Sequence, residues 1–166
     1  MKKCFFVTPI GESDSADRLN SDKVLKNILE PVLSSDFEII RIDKLNLPDN
    51  IDQTIINHLA SSELVIIDMT NHNPNVFYEF GYRHALKLPL IPIINKNSGS
   101  IPFDVSTLRT IFYTFDVEDV NEAKERLEET ITAFDFSETV KNTTKVPEKH
   151  KLETIQILNI NDKLDN

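Results

Sequence analysis

Cysteine and glycine are scarce in this sequence, and their scarcity removes several classes of protein. Cys4 is the only cysteine, so no disulfide can form within the chain, and its place in an apolar run predicts a structural thiol. The three glycines never form a G-x-G-x-x-G pattern, so the sequence lacks the dinucleotide-binding fingerprint. The serines at positions 13, 15, 98 and 100 have no nucleophile-elbow context, so we interpret them as loop serines.

Basic residues are outnumbered. The chain has 18 lysines and arginines against 27 aspartates and glutamates, which gives a formal charge of −9. Nonspecific binding to nucleic acid or to anionic membranes requires clusters of basic side chains, so this balance argues against both. A small, locally basic nucleotide pocket is still compatible with it.

Long apolar runs are absent as well. No run approaches eighteen residues, and the start of the sequence shows no apolar region followed by a cleavage site. From the sequence we therefore expect a soluble, cytoplasmic protein.

Short apolar runs alternate with helical patterns along the first 136 residues. The predicted strands are residues 3–9, 37–42, 64–68, 90–94 and 110–115. Residues 10–20 are predicted to form a loop, with Ser21 as the cap of the first helix. This alternation predicts an α/β, flavodoxin-like three-layer sandwich with a five-stranded, mostly parallel sheet in the order 2-1-3-4-5. We predict one domain over residues 1–136, followed by a tail or edge-covering extension over residues 137–166.

The stretch from residue 64 to residue 88 is the most informative. A buried apolar strand ends in Asp68, and a loop of turn-forming residues follows it. Asn73 is then a good N-cap, Pro74 fits the first position of a helix, and Glu79 lies near the start of that helix. Because ligands of open α/β sheets bind beyond the carboxyl ends of the strands, Asp68 and Glu79 mark a candidate site.

These two carboxylates suit the cleavage of a glycosidic bond. The positive end of the helix dipole favours the ionised form of Glu79, and Asp68 is placed to bind a sugar hydroxyl or exchange a proton. The switch-point rule adds Thr8, Gly11, Asn73 and Asn75 to the predicted pocket, and Tyr82 is a candidate for stacking on a base. An alternative also fits the spacing: Glu79 is a surface residue stabilised by the dipole, and Asp68 caps a loop.

The sequence predicts neither a metal nor a cofactor. His72 and His84 are the histidines nearest the carboxylates, but they have no compact ligand spacing. We interpret both as solvated side chains of the loop and the helix.

Residues 67–68 followed by 73–81 (NPNVFYEFG) resemble the nucleoside 2-deoxyribosyltransferase superfamily, and in particular its bacterial TIR-like branch. By this resemblance Glu79 corresponds to the nucleophile, and Asp68 to the strand-end carboxylate that contacts the sugar. Residues 5–11 (FFVTPIG) resemble the first strand and substrate loop of the same group, which brings Pro9 into the substrate site beside Thr8 and Gly11. Residues 101–104 resemble a recurring element of the TIR-like branch.

The sequence departs from the transferases at two places. Phe5 and Phe6 occupy the part of the first strand that usually carries a tyrosine, and Asn73 stands where a second loop carboxylate is usual. These departures weaken the case for a transferase that moves deoxyribose between bases. Hydrolysis, in which water is the acceptor, and a deoxyribosyltransferase-like reaction both stay open.

The resemblance therefore implies an N-glycosidase that acts on a nucleoside, a nucleotide or NAD, with a role in bacterial antiphage defence and assembly into homo-oligomers. A module of another class would use the same pocket without catalysis, as a nucleotide-binding sensor or an oligomerisation unit.

Overall fold

Five parallel strands form the centre of the protein. In the computed structural model, residues 1–45, 51–100 and 108–137 are described. The strands are β1 (Lys2–Val7), β2 (Phe37–Ile40), β3 (Leu64–Asp68), β4 (Leu90–Asn95) and β5 (Ile111–Tyr113). They are ordered β2-β1-β3-β4-β5, and every neighbouring pair is parallel. The predicted sheet and its strand order are confirmed.

Helices cover both faces of this sheet. They are α1 (Ala16–Val24), which continues through a π-helical turn (Leu25–Leu29) into α2 (Glu30–Leu33), then α3 (Ile51–Ser61), α4 (Pro74–Ala85) and α5 (Val117–Thr132). Short 3₁₀ turns occupy Ile42–Lys44, Thr70–His72 and Lys96–Ser98. Among the described residues, no helix has the length and apolar character needed to span a bilayer.

The apolar core consists of two clusters separated by the sheet. One cluster joins Cys4 and Phe6 of β1 to side chains of the α1–α2 segment and of α5. The other joins Phe5 and Val7 of the same strand to side chains of α3 and α4. Successive residues of β1 therefore point to opposite faces, as the pleat of a strand requires, and the three-layer sandwich is confirmed.

The first helix starts earlier than the sequence predicted. It begins at Ala16, and its N-cap is Ser15, whose hydroxyl accepts a hydrogen bond from the N–H of Arg18. The prediction of a loop up to Asn20 was wrong because only Ser21 and Val24 of α1 are buried, so the first turns show no apolar stripe. The helical spacing of Ile51, Ile55 and Leu59 predicts one buried face for α3, but Ile51 is 57% exposed.

Pro31 does not end the helix that contains it. A proline inside a helix removes one hydrogen bond and crowds the carbonyl four residues earlier. Here the preceding turn widens into a π-helix, in which the N–H of Glu30 bonds to the carbonyl of Leu25, five residues back. The chain therefore accommodates Pro31 by a local widening, and the helix continues to Leu33.

A buried arginine organises the amino edge of the sheet. Arg83 of α4 is fully buried, and its guanidinium donates hydrogen bonds to the main-chain carbonyls of four residues: Leu59, Ser62, Glu63 and Pro89. Those carbonyls lie at the end of α3 and just before β3 and β4. Arg83 thus ties α4 to the segments that lead into two central strands.

Several sequence predictions concern residues outside the described ranges. These are the cap of α3 at Asp49 or Asn50, the segment resembling the TIR-like branch at 101–104, and the tail from residue 138 onward.

Candidate functional site

The carboxyl edge of the sheet brings the ends of β1 and β3 side by side. Val7 pairs with Ile67 in the parallel ladder, so Thr8, just after β1, lies beside Asp68, the last residue of β3. At this point the chain order reverses, because β2 lies on one side of β1 and β3 on the other. Such a switch point is where open α/β sheets bind their ligands.

Asp68 is fully buried, and both of its carboxylate oxygens are occupied. Oδ1 accepts from the N–H of Thr70 at 3.1 Å and from its hydroxyl at 2.5 Å, while Oδ2 accepts from the hydroxyl of Tyr113 at 2.9 Å and from the amide of Asn20 at 3.3 Å. The Tyr113 hydroxyl also lies 2.8 Å from the Asn20 amide and 3.0 Å from the Thr70 hydroxyl. We call Asp68, Thr70, Tyr113 and Asn20 the Asp68 cluster.

The surroundings of Asp68 affect its pKa in opposite directions. Burial raises the pKa from 3.8 to about 6, the hydrogen bonds from Thr70 and Tyr113 lower it, and the charge of Asp17 raises it. Asp68 is therefore mainly ionised at neutral pH. Its predicted contact with a sugar hydroxyl stays a prediction, because a bound sugar would have to replace one of the four donors.

The loop between β3 and α4 is held from several sides. The side-chain amide of Asn71 donates to Asp17 of α1 at 3.0 Å, and Nε2 of His72 lies 2.9 Å from the carbonyl of Ser100. Asn73 then caps α4, because its side-chain oxygen accepts from the N–H groups of Asn75 and Val76. The predicted roles of Asn73 as N-cap and of Pro74 as first helical residue are confirmed.

Glu79 lies in the second turn of α4 and is half-buried. Among the described residues, its carboxylate has no hydrogen-bond or ion-pair partner. Burial alone raises its pKa from 4.5 to about 7. The expectation that the helix dipole favours the ionised form was wrong, because the dipole acts mainly within the first turn and desolvation outweighs it here.

Thr8 carries a buried hydroxyl with no partner. Its side chain is 7% exposed, and its Oγ1 bonds to nothing in the part of the chain that the structure describes. The hydroxyl of Ser62 and Nδ1 of His58 share that property, so an unpartnered polar atom is not in itself a sign of a site. Thr8 differs from them in its position, beside Asp68 at the switch point.

Gly11 allows the β1–α1 loop to close tightly. A β-carbon at Gly11 would collide with the side chain of Ser15, the N-cap of α1. Pro9 is buried just before it. Close packing against Ser15 thus explains why residue 11 is a glycine. Substrate contact by Pro9 or Gly11 stays a prediction.

Asn75 and Tyr82 lie on the same flank of α4 as Glu79. They are four residues before it and three residues after it, a spacing that aligns side chains along a helix. Asn75 is exposed and Tyr82 is half-buried, with a pKa raised by burial and by Tyr78. Phe77 lies on the other flank and stacks on His72.

Asn20, Thr70 and Tyr113 were not identified from the sequence. Thr70 follows a strand-end aspartate by two residues, a spacing at which a side chain often bonds to the backbone, so it had a local signal. Asn20 had a weaker signal. Ser15 followed by Asp17 is a typical helix start, which would have placed Asn20 in a helix instead of a loop. Tyr113 had none, since it lies 45 residues from Asp68 in the sequence.

The described residues contain no group of three or more histidine, cysteine, aspartate or glutamate side chains arranged to hold a metal ion.

Comparison with known proteins finds similarity to solved structures. No protein-family model matches the sequence, and no curated protein matches it. Among solved structures, 17 chains match. A 2-deoxyribosyltransferase from the psychrotolerant bacterium Bacillus psychrosaccharolyticus, described as a biocatalyst for nucleoside synthesis, aligns with a TM-score of 0.55 and 13% identity, over 82% of this chain and 95% of its own.

The TIR domains of the activated Roq1 resistosome, which recognises the pathogen effector XopQ, align with a TM-score of 0.43 and 11% identity, over 87% of this chain and 98% of their own. The likeness to the transferase is one of fold.

Proposed function

We propose that this protein cleaves the bond between base and sugar in a nucleoside, a nucleotide or NAD, with Glu79 at the reacting carbon. The observation that carries the proposal is the state of Glu79: a half-buried carboxylate without a partner among the described residues and with a pKa of about 7. Such a group destabilises the fold, and perturbed carboxylates of this kind cluster at functional sites. The shared fold with a 2-deoxyribosyltransferase supports the same substrate class.

The proposed reaction is a hydrolysis. The bond from C1′ to the base nitrogen breaks, and its electron pair leaves with the base. Positive charge develops on C1′ and the ring oxygen, and the carboxylate of Glu79 bonds to C1′ or stabilises that charge. Water then adds its hydroxide to C1′, which breaks any bond between C1′ and Glu79 and regenerates the carboxylate. The proton of that water goes to the departing base, or to solvent where the base leaves as a neutral molecule, as nicotinamide does. Because this role requires ionised Glu79, the rate should rise with pH and level off above about 7.

The neighbouring residues have supporting roles in this proposal. The hydroxyl of Thr8, which has no partner among the described residues, bonds to a sugar hydroxyl. The side-chain N–H₂ of Asn73, whose oxygen is used for capping, bonds to the ligand as well. Tyr82 and Asn75 border the base from the flank of α4. Asp68 supports this arrangement as the centre of the buried cluster.

A non-catalytic nucleotide-binding module is the second candidate. One observation favours it: Asp68 is fully buried with both oxygens occupied, so the edge offers one accessible carboxylate of the pair rather than two. Glycosidic cleavage usually employs two carboxylates that flank the sugar. A binder would need only the pocket and its polar rim.

Released base distinguishes the two functions. The purified protein is incubated with a panel of nucleosides, deoxynucleotides and NAD, and base release is followed by chromatography. We expect at least one member to be cleaved, with turnover in Glu79→Gln lower by a factor of about a hundred or more, as expected for a group that stabilises transition-state charge.

The matched control is Glu125→Gln on the exposed face of α5, which should retain full turnover. Equal base release by Glu79→Gln and by the wild type would contradict the mechanism. Binding of a panel member without base release, weakened in Thr8→Val, would favour the binding module.

The domain boundary and the assembly belong to the same proposal. We propose that residues 1–136 form the functional domain and that the chain self-associates. Light scattering on the full chain and on a variant ending at residue 136 would measure the mass of each, and circular dichroism would measure their folding.

A further inference from the structure

The loop that leads into α4 adopts an unfavourable backbone conformation. Asn71 has φ = 60° and His72 has φ = 52°, so two successive residues other than glycine lie in the left-handed region. Each such residue costs about 1 kcal/mol, and such conformations persist only where the surroundings hold them in place. The contacts of this loop therefore determine where α4 begins.

Thr70 is the main attachment of this loop to the sheet. Both its N–H and its hydroxyl bond to Oδ1 of Asp68, and its Oγ1 also accepts from the N–H of Asn95 at 3.0 Å. Thr70 thus joins the loop to β3 and β4 at once. It lies directly before the two strained residues.

Tyr113 completes this attachment from β5. Its hydroxyl reaches Oδ2 of Asp68, the hydroxyl of Thr70 and the side-chain amide of Asn20. The side chain is completely buried, so it cannot touch a ligand in this structure. Its hydroxyl serves to hold the other members of the Asp68 cluster in one arrangement.

The position of Glu79 depends on this loop. The loop ends at Asn73, which caps α4, and α4 runs without interruption from Pro74 to Ala85. A displacement at the start of the helix is therefore passed to Glu79 in its second turn.

We propose that Tyr113 is a positioning residue whose hydroxyl, acting through Asp68 and Thr70, fixes the β3–α4 loop and thereby the place of Glu79. The catalytic consequence rests on the proposed function, whereas the structural one does not.

Hydrogen exchange tests the structural part. The probes are the bonded amides of Thr70, His72, Asn75, Val76 and Phe77. In Tyr113→Phe we expect these amides to exchange at least about ten times faster, with exchange in β1 and α5 changed much less. Equal changes throughout the chain would show a merely structural tyrosine and would overturn the proposal.

Thr114→Val is the matched control, because it removes a hydroxyl from the next residue, one that bonds to Asp119 instead of the loop. It should leave exchange at the five probe amides unchanged. Thr70→Val should reproduce the effect of Tyr113→Phe on the exchange of the probe amides. In the double variant, the effect should be smaller than the sum of the two single effects, since both hydroxyls act on one carboxylate.

The place of Glu79 is measured separately by carbon NMR titration of its carboxyl group. In Tyr113→Phe the midpoint should fall from about 7 towards 4.5, because a displaced helix start exposes the side chain to water. An unchanged midpoint would overturn the link between Tyr113 and Glu79.

Turnover gives a third measurement wherever the wild type releases base. In Tyr113→Phe, kcat should fall by about ten- to a hundredfold with little change in KM, the size of effect that misplacement of a reacting group produces. If the wild type cleaves nothing, the proposed function fails, and hydrogen exchange and the Glu79 titration still decide the role of Tyr113.

Discussion

Each edge of the sheet holds a buried charged side chain, and the two are held in different ways. A further buried charge, Arg41 just after β2, is paired with Asp22 and Asp43. Arg83 lies at the amino edge and Asp68 at the carboxyl edge, and within the described residues neither forms an ion pair. Carbonyls accumulate where helices end and strands are about to begin, so that edge suits a cation. Beyond the strand ends, hydroxyl and N–H donors converge, which suits an anion.

The partners of the two charges show what each edge is for. Within the described ranges, the guanidinium of Arg83 bonds only to main-chain carbonyls, which no side-chain substitution removes. Asp68 depends on the side chains of Thr70, Tyr113 and Asn20 for three of its four hydrogen bonds, and the fourth comes from the N–H of Thr70. The amino edge therefore maintains the fold, while the carboxyl edge has an arrangement that individual side chains can adjust.

The largest effect on stability is expected from Arg83→Met. The substitution keeps much of the apolar volume but leaves the buried carbonyls of Leu59 and Ser62 without their guanidinium donors, at about 1–3 kcal/mol each. We expect the free energy of unfolding, measured in urea, to fall by about 3–5 kcal/mol. Arg126→Met removes an exposed pair with Glu122 on α5 and should change it by less than about 1 kcal/mol. Similar losses in both variants would contradict the role assigned to Arg83.

Asp68→Ala should cost less, because two of the freed donors can bond to each other. The hydroxyls of Thr70 and Tyr113 already lie 3.0 Å apart. We expect the free energy of unfolding to fall by about 1–3 kcal/mol near pH 4, which is the penalty for donors left unsatisfied.

The pH dependence of this loss has a definite sign. Between pH 3.8 and about 6 the folded wild type keeps a proton on Asp68 that the unfolded chain has released, so its free energy of unfolding falls as the pH rises. The difference in free energy of unfolding between the wild type and Asp68→Ala, measured in paired urea titrations, should therefore become smaller as the pH rises through that window. A difference that becomes larger would mean that the pKa of Asp68 is lowered.

Local signals made the fold and part of the site predictable. Runs of β-branched residues marked the strands, and the Asn73–Pro74 pair marked the start of α4, because a cap and a first-turn proline act within a few residues of one another. The strand order then followed from the alternation of strands and helices. The candidate carboxylates were found in the same way, from their places at a strand end and near a helix start.

The environment of those carboxylates was not predictable, because it depends on contacts between distant parts of the chain. Asn20 is 48 residues from Asp68 in the sequence, and its place in a helix was hidden by the few buried residues of α1. The raised pKa of Glu79 likewise comes from burial, which no spacing rule reports, whereas the dipole that spacing does report weakens after the first turn.

The smallest of these effects is a gain in stability in Glu79→Gln. Between pH 4.5 and about 7 the folded protein keeps a proton on Glu79 that the unfolded chain has released, so the free energy of unfolding of the wild type falls as the pH rises. Glutamine has no such proton. The free energy of unfolding of the variant, relative to that of the wild type, should therefore increase through this window and stay constant above it.

Because Glu79 is partly exposed, solvent screening reduces this gain in stability, and we expect a Tm about 2–4 °C higher at pH 8, the shift that about 1 kcal/mol produces in a chain of this size. Thermal melts at pH 4, 6 and 8 would measure it, with Glu125→Gln as the exposed control that should follow the wild type at every pH. A lower Tm for Glu79→Gln at pH 8 would mean that the carboxylate stabilises the fold. Combined with lost turnover, a higher Tm would instead mark Glu79 as a group kept for its chemistry at a cost in stability.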